Sequence, residues 1–273
     1  MSNKLRLWNE NINWQEAEKT WDAQAKEAAQ IRPLKRPSSL PNMVGITPQT
    51  KRFLKWKSLK WMVTQDHDKK VLHGILKHPV KYFFSFLRSC LKKKSYLREG
   101  DFFYYGIRSL EEFKMLLKRE DTLFVLGFSY CHKPLECPSK RFTDECIHDR
   151  QNPVCRQCFI GKALHTLPDE RTIPLIIPTV HYIGGKIFEI VHGNPDKQVV
   201  FLITACEMTL EMFGDWGNMA NILGIGVRLD GRICNTMRAF ELSEQGIKPG
   251  LTVVLDQTQE KILALLKLWK ESK

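Results

Sequence analysis

Cysteine is concentrated in one short part of this chain. Five of the eight cysteines lie between residues 131 and 158, in the segment CHKPLECPSKRFTDECIHDRQNPVCRQC. Two more lie further along, each after an apolar run that predicts a buried strand. Thiols clustered in this way are typical of sites for soft metal ions or for redox chemistry. The candidate ligands are Cys131, Cys137, Cys146, Cys155, Cys158, Cys206 and Cys234.

The most closely spaced pair is Cys155 and Cys158, which are about one helical turn apart at the predicted start of a helix. Unpaired backbone N–H groups and the helix dipole favour thiolate at such a position. Cys137 is followed by Pro138, a pairing seen at iron–sulfur ligands. The spacing matches no single standard ferredoxin signature, and the softness of sulfur does not by itself separate iron–sulfur from zinc.

Three functions are compatible with these cysteines. The favoured one is a cysteine-ligated iron–sulfur cluster used in electron transfer, or in sulfur or cluster handling for a partner enzyme, because cysteines outnumber histidines and come from separate loops. A structural zinc site in an interaction module is the first alternative, although the usual second close pair of cysteines is missing. A dithiol oxidoreductase using Cys155 and Cys158 is the second alternative, and it leaves the other cysteines unexplained.

Small and polar residues accompany the cysteines. The predicted cofactor-binding neighbours are Gly184, Gly185, Asn235 and Thr236. Three histidines are close enough in sequence to complete a coordination sphere, but a histidine beside cysteines is more often a hydrogen-bonded neighbour. These are His132, His148 and His181. The chain has no HExxH, GxSxG or phosphate-loop motif, so no catalytic residue is predicted.

The elements that position these residues predict an α/β fold. Strands that are apolar throughout alternate with helical stretches, which indicates a mostly parallel sheet flanked by helices. The predicted strands span residues 122–128, 173–180, 199–205, 222–229 and 251–255. Two prolines place the second strand at a sheet edge. Because the loops that leave parallel strands open at one carboxyl edge, we expect all seven thiols to meet there.

Three helical predictions bear on the site. Residues 155–167 are predicted as one helix, and residues 186–191 as a short helix that competes with a hairpin at Gly184 and Gly185. The last helix is predicted to be capped by Asp256. Asn13 is predicted to cap an amphipathic N-terminal helix, which docks through its tryptophans.

The chain is predicted to have three parts: a tail with a short helix and a proline-rich linker (1–49), a basic aromatic helical region (50–99) and a cysteine-rich α/β domain (100–273). The net charge is +12, and residues 51–100 carry 14 basic and three acidic side chains, a surplus of 11. This N-terminal basic extension has three open interpretations. Its aromatic side packs on the core, or it lies on an anionic membrane surface, or it binds nucleic acid, which is the less favoured partner.

Sequence features also predict the compartment. The chain has no apolar run long enough to span a bilayer and no signal-peptide core at its start. Clustered cysteines suit a reducing compartment. We therefore expect a cytoplasmic protein, with membrane association through residues 50–99 under the second interpretation of the basic region.

The order of the motifs resembles a known family. Cys137-Pro138, Cys155-x-x-Cys158, Gly184-Gly185, Ala205-Cys206 and Cys234-Asn235-Thr236 follow one another as in the cysteine-rich bacterial and archaeal family called domain of unknown function 116. The match covers about residues 120–245. The resemblance implies a cytosolic α/β protein with an iron–sulfur or other metal site. This chain departs from the family pattern at Ile233, where the family keeps a glycine, and by its longer middle loop.

Overall fold

A computed structural model describes residues 13–35, 45–91, 96–165, 167, 171–231, 234–248 and 250–272. Its fold is α/β, with a mostly parallel sheet between two layers of helices, which confirms the predicted fold class. The predicted linker lies partly outside the described residues.

Within the described residues, the main sheet has six strands in the order β1-β2-β6-β5-β3-β4. Strands β3 to β6 are parallel, whereas β2 pairs antiparallel with both β1 and β6. A separate antiparallel pair is formed by β7 and β8. The strands are β1 (Leu97–Glu99), β2 (Phe102–Tyr105), β3 (Thr122–Ser129), β4 (Thr172–Ile177), β5 (Gln198–Ala205), β6 (Leu223–Arg228), β7 (Asp230–Gly231) and β8 (Thr252–Val253).

The helices cover both faces of this sheet. They are α1 (Trp14–Ile31), α2 (Pro48–Thr64), α3 (Lys70–Leu76), α4 (Pro79–Leu91), α5 (Leu110–Leu117), α6 (Pro153–Gln157), α7 (Phe159–Leu164), α8 (Val180–Gly193), α9 (Glu207–Ala220), α10 (Met237–Glu244) and α11 (Asp256–Glu271). A single 3-10 turn, Tyr130–His132, follows β3.

Alternation along the strands builds a core on each face, because successive side chains of a strand point to opposite sides. In β3, Val125 packs on one face and Phe124 on the other. The first face, with Val125, is covered by α2, α3, α4, α8, α9 and α10. The second face, with Phe124, is covered by α1, α5, α7 and α11, and Trp269 of α11 is fully buried there.

Several local predictions are confirmed and others are wrong. β4 lies at the sheet edge, as its prolines predict. The alternative hairpin at Gly184 and Gly185 is wrong, because both glycines lie inside the 14-residue helix α8. The predicted strand 251–255 contributes only β8, which pairs with β7 instead of joining the main sheet. The N-cap of α11 is Leu255, without a side-chain hydrogen bond, rather than Asp256.

The predicted helix 155–167 is two short helices, α6 and α7, which meet at Cys158. Cys158 has extended backbone angles, so the helical hydrogen bonding is interrupted there. This break gives Cys155 and Cys158 different local environments. The prediction of one continuous helix missed it because the apolar spacing is regular across the junction.

The N-terminal helices are anchored to the rest of the chain. Asn13 caps α1 as predicted, and Trp14 and Trp21 of that helix are buried. Leu54 of α2 and Tyr82 of α4 belong to the core of the first sheet face. The basic region therefore shares a hydrophobic core with the α/β part.

Candidate functional site

The structure divides the seven candidate cysteines, all of them free thiols, between two places. One set lines a single cavity, called here the four-cysteine cavity: Cys137, Cys146, Cys155 and Cys158. The other set, called here the three-thiol site, consists of Cys131, Cys206 and Cys234, which share the amine of Lys248 as a charged neighbour. The cavity beside Cys131 and Cys206 has no lining residue in common with the four-cysteine cavity. The single convergence point predicted from the sequence is thus two separate groups.

The four-cysteine cavity is built by the long connection that follows β3. Cys137 and Cys146 lie on residues 133–152, which form neither helix nor strand. Asn152 then caps α6 by accepting a hydrogen bond from the Val154 amide at 2.9 Å, and Pro153 occupies its first turn. These residues place Cys155 on α6, and Cys158 follows at the junction with α7.

Burial dominates the electrostatics of these thiols. It raises the pKa of Cys155 to about 11 and that of Cys158 to about 12, and it also raises the pKa of Cys146. This direction is opposite to the thiolate expected at a helix start, because burial is the largest effect on both thiols. A thiol kept neutral at pH 7 is a poor nucleophile, which weighs against a dithiol oxidoreductase at Cys155 and Cys158.

Backbone groups oppose this effect of burial. Hydrogen bonds from the backbone at His148, Asp149 and Gly161 lower the pKa values of Cys146, Cys155 and Cys158, respectively. Such bonds favour the thiolate form, and hydrogen bonds to ligand sulfurs are also what tunes thiolate-bound metal centres. These bonds partly offset the effect of burial on the pKa values of the three thiols.

A buried cation stands beside this cavity. The side chain of Lys133 lines it and is 2% exposed, and its Nζ donates to the Thr143 hydroxyl and to the Glu145 carbonyl, both at 2.9 Å. Burial lowers the pKa of Lys133, while Cys137, Cys146 and Cys158 raise it. An ammonium at this position offsets the negative charge that several thiolates would bring.

The sulfurs are not arranged around a single ion. Within the described residues, no group of three or more His, Cys, Asp or Glu side chains could hold a metal ion as it stands. The four-cysteine cavity has a volume of about 20 Å³, which is room for about one water molecule. A group larger than one water molecule would therefore fit only if the lining residues moved.

The three-thiol site lies where β3 and β5 end. Cys131 is in the turn after β3, and Cys206 follows β5 directly as the N-cap residue of α9. Cys234 follows β6 and β7 and hydrogen-bonds Cys206 through sulfur. The three cysteines are buried, with exposures of 3–5%. The carboxyl edge of the sheet thus gathers thiols from three connections, as predicted for that edge.

Cys206 has the most polar surroundings of these cysteines. Its hydrogen bond with Cys234, the charge of Lys248 and the hydroxyl of Thr209 at 3.2 Å lower its pKa to about 5, although burial opposes them. The hydrogen bond with Cys206, together with burial, raises the pKa of Cys234. Cys206 is therefore the thiolate of this pair and Cys234 is the S–H donor.

Two further ionisable groups face these thiols. Lys248 Nζ donates to Cys131 Sγ at 3.1 Å, and although burial lowers the pKa of Lys248, the nearby thiols produce a net rise. Burial raises the pKa of Glu244 to about 8, and its carboxyl accepts from the Val180 amide at 2.8 Å. At neutral pH this site thus holds an ammonium and a largely protonated carboxylic acid.

The predicted neighbours of the cofactor lie in different places. Gly184 and Gly185 face α3, where an added Cβ would come within 3.1 Å of Val71 and 3.2 Å of Lys70, so they allow two helices to approach closely. Asn235 and Thr236 are exposed, and the Thr236 side chain caps α10.

The three histidines are engaged in other contacts. Only His148 lines the four-cysteine cavity, and its Nε2 is 3.2 Å from the Gly161 carbonyl. His132 stacks on Phe159 with 5.2 Å between ring centroids, and burial lowers its pKa to about 4. His181 Nε2 is 3.2 Å from the Met62 carbonyl.

Sequence reasoning missed the polar groups that accompany the thiols. Lys133 and Thr209 could have been found from the sequence, because they lie two residues after Cys131 and three residues after Cys206, respectively. Nothing in the sequence near the cysteines points to Glu244 or Lys248. Both residues reach the three-thiol site only in the folded chain, from the end of α10 and from the segment after it.

Comparison of the chain with protein-family models, with curated proteins and with solved structures finds no match. The resemblance to the family named above consequently remains a prediction.

Proposed function

We propose that the four-cysteine cavity binds a thiolate-ligated metal centre, an iron–sulfur cluster in preference to zinc. With it the protein serves in electron transfer or in sulfur or cluster handling for a partner enzyme. The observation that carries this proposal is that four cysteines from the segment between β3 and β4 line one cavity. An all-sulfur set is the usual donor set of such clusters, and it also suits tetrahedral zinc.

The chemistry of the residues fits such a centre. A metal removes protons from thiols even when burial raises their pKa, because the metal supplies the positive charge that the buried thiolates need. Backbone hydrogen bonds already favour the thiolates of Cys146, Cys155 and Cys158, and Lys133 adds a buried positive charge.

The donor types favour a cluster over one zinc ion, because four cysteines and one histidine line the cavity. Zinc holds its sulfurs about 2.3 Å away, which forces the four sulfurs close together. A cluster spaces them more widely, because its own iron and sulfide atoms lie between them.

The test is metal analysis of the full chain purified without oxygen. We expect a brown protein with broad visible absorbance that bleaches on reduction and contains iron and sulfide. Replacing both Cys155 and Cys158 by Ala should abolish loading, whereas Cys206→Ser with Cys234→Ser serves as the control pair and should retain it. Stoichiometric zinc in a colourless protein would support the alternative centre. Full metal content in the Cys155→Ala, Cys158→Ala variant would refute the ligand assignment.

A second function is favoured by the exposed face of α4. Its apolar residues recur at helical spacing but point away from the core, and Phe83, Phe84 and Leu91 are 58%, 63% and 85% exposed. The stripe, called here the α4 surface, consists of Val80, Phe83, Phe84, Leu87 and Leu91. An exposed apolar patch of this kind marks a contact surface.

We propose that the α4 surface docks on an anionic membrane. Lys77 and Lys81 are exposed beside it, within the region that carries almost the whole charge surplus. Apolar aromatic residues next to lysines are the composition of helices that lie in the membrane interface. In the described part of the chain, no helix is both long and apolar enough to cross a bilayer.

Co-sedimentation with vesicles tests this docking. We expect binding to vesicles of phosphatidylcholine and phosphatidylserine in equal parts, and weak binding to phosphatidylcholine alone. Phe83→Ser with Phe84→Ser should remove binding. Met115→Ser, which changes a side chain 64% exposed on α5 across the sheet, should not. Retention of binding by the double variant, or binding to RNA but not to vesicles, would contradict the proposal.

A further inference from the structure

The three-thiol site is poorly suited to a metal. Lys248 Nζ lies 3.1 Å from Cys131 Sγ, so a buried ammonium already occupies space beside the sulfurs that a metal cation would need. Cys206 and Cys234 are hydrogen-bonded to each other. The site therefore has the parts of a reactive dithiol beside a fixed positive charge.

We propose that the three-thiol site is a second reaction centre, in which Cys206 attacks a small peroxide and Cys234 then closes a disulfide with Cys206. This inference is independent of the metal proposed above, because it uses none of the four cysteines of that cavity.

Cys206 is placed as the nucleophile. It is the N-cap residue of the 14-residue helix α9, at the positive end of the helix dipole, although its sulfur makes no capping hydrogen bond. The Thr209 hydroxyl, one turn into that helix, lies 3.2 Å from the sulfur. A thiolate at such a position is the reactive form of cysteine.

Cys234 is placed as the resolving thiol. The thiols of Cys234 and Cys206 interact directly, so the two cysteines are neighbours in the three-thiol site. A disulfide requires the two sulfurs to approach to about 2.05 Å. In a sulfenic acid, an adjacent thiol is what converts the oxidised cysteine into a disulfide.

The size of the adjoining cavity restricts the substrate. The cavity beside Cys206 has a volume of about 20 Å³, comparable to one water molecule, so it admits hydrogen peroxide with little adjustment but not a protein disulfide. Its polar lining comes from seven residues that carry a hydroxyl or carboxyl group: Ser129, Tyr130, Thr179, Thr204, Thr209, Ser243 and Glu244. Within the described residues, these hydroxyls and the carboxyl are the groups placed to bind the two oxygens.

The chemistry balances in two steps. In the first, the Cys206 thiolate attacks one peroxide oxygen, the S–O bond forms, the O–O bond breaks, and the leaving hydroxide takes the Glu244 proton to become water. In the second, Cys234 sulfur attacks Cys206 sulfur, the S–O bond breaks, and the hydroxyl leaves as water with the Cys234 proton. Two sulfurs are oxidised to a disulfide, the peroxide is reduced to two waters, and Glu244 is left ionised.

The experiment treats the reduced full chain with equimolar hydrogen peroxide, blocks the remaining thiols and maps peptides by mass spectrometry. We expect a Cys206–Cys234 disulfide. In Cys234→Ser, which keeps a hydrogen-bond donor, dimedone should trap a sulfenic acid on Cys206. Cys206→Ser should form neither product. Circular dichroism confirms that each variant is folded.

Other results would overturn the proposal. A disulfide that pairs Cys131 with Cys206, or dimedone on Cys131 but not on Cys206, would reassign the nucleophile or its partner. Absence of both products in the folded wild-type chain would remove the reaction centre. Loss of metal without a Cys206–Cys234 disulfide would also count against the inference, since it would place the peroxide chemistry at the other site.

Thr209 is proposed as a positioning residue, and the pH dependence of its variant tests that role. Thr209→Val removes the hydroxyl and keeps the shape, so the pH midpoint for alkylation of Cys206 should rise. A rise of one pKa unit would slow alkylation about tenfold at pH values well below the wild-type midpoint. Cys131, Cys234, Glu244, Lys248 and Tyr130 face the same thiol and remain unchanged. Thr64→Val, on the exposed end of α2, is the matched control and should leave the midpoint where it is; an unmoved midpoint in Thr209→Val would refute the role.

Discussion

At the scale of single residues, Glu244 is the clearest case of a group whose ionisation the fold opposes. Burial raises its pKa to about 8 from an ordinary value of 4.5, while the Val180 amide favours the ionised form to a smaller extent. The folded state therefore binds a proton that the unfolded state releases between these two pH values. The contribution of this bound proton to the free energy of unfolding is fully present below pH 4.5 and is lost as the pH rises through about 8.

Replacing Glu244 by Gln should remove this loss of stability at high pH. The amide oxygen can still accept from Val180, so we expect equal stability at pH 4.5 and a variant more stable by a few kcal/mol at pH 9. Urea unfolding of reduced protein across this range measures the difference. Glu241→Gln, on the same helix but partly exposed, is the control for loss of a carboxylate from α10. A stability difference for Glu244→Gln that does not change with pH would show that the folded state does not hold the extra proton.

The residue types that carry the chemistry could be identified from the sequence, but their grouping could not. The density of cysteine between residues 131 and 158 predicted a site, and the seven cysteines named for it are free thiols. Their division depends on the path of residues 133–152, which has no periodicity to read. Cys146 and Cys158 pack on the second sheet face, whereas Cys206 and Cys234 pack on the first.

At the scale of elements, α1 and the segment after it pack against α6 and α7, the two helices beside the four-cysteine cavity. Trp21 packs against His165 with 4.9 Å between ring centroids, and an added Cβ on Gly161 would come within 2.8 Å of the indole. Lys162 of α7 pairs with Asp22 of α1 at 2.8 Å. The segment after α1 continues the contact, because Gln157 Nε2 donates to the Arg32 carbonyl at 2.8 Å.

Trp21→Ala should therefore lower the free energy of unfolding and also weaken the packing around the four-cysteine cavity. Truncation of a buried Trp costs about 3–5 kcal/mol of unfolding free energy. We also expect faster loss of bound metal to a chelator, because α6 and α7 carry Cys155 and the junction at Cys158. Trp56→Ala is the matched control: that indole is 72% exposed on α2, and its removal should change neither quantity. Loss of stability in Trp21→Ala with an unchanged rate of metal release would separate α1 from the cavity.

Elements were predictable where one face of a strand or helix is buried. The parallel strands followed from their apolar runs, and the edge position of β4 followed from its prolines. The glycine pair was misjudged because Gly184 and Gly185 do not form a turn but admit α3, a contact with a helix more than a hundred residues earlier. A contact between residues so far apart in the chain cannot be read from the sequence around the glycines.

At the scale of the molecule, the basic region is inseparable from the domain beneath it. Tyr82 of α4 is 1% exposed and hydrogen-bonds His192 of α8 at 2.8 Å, and Leu54 of α2 enters the same core. Deleting residues 51–100 would expose that core, so point variants are the sound test of membrane docking. The α4 surface also lies on the sheet face opposite the packing of Cys146 and Cys158, which leaves the two proposed activities on different sides.

Salt should distinguish the electrostatic contribution to the proposed membrane binding from the apolar contribution. Raising the ionic strength from 0.1 M to 1 M shortens the Debye length from about 10 Å to about 3 Å, so binding to anionic vesicles should fall toward the level seen with phosphatidylcholine alone. Each lysine near an anionic surface contributes about 1 kcal/mol, so Lys77→Gln with Lys81→Gln should weaken binding about 30-fold at low salt and flatten its salt dependence. The control, Lys118→Gln with Lys140→Gln, removes two exposed charges outside α2–α4 and should bind like the wild type. Salt-independent binding of the wild type would mean that the apolar stripe acts without the charge around it.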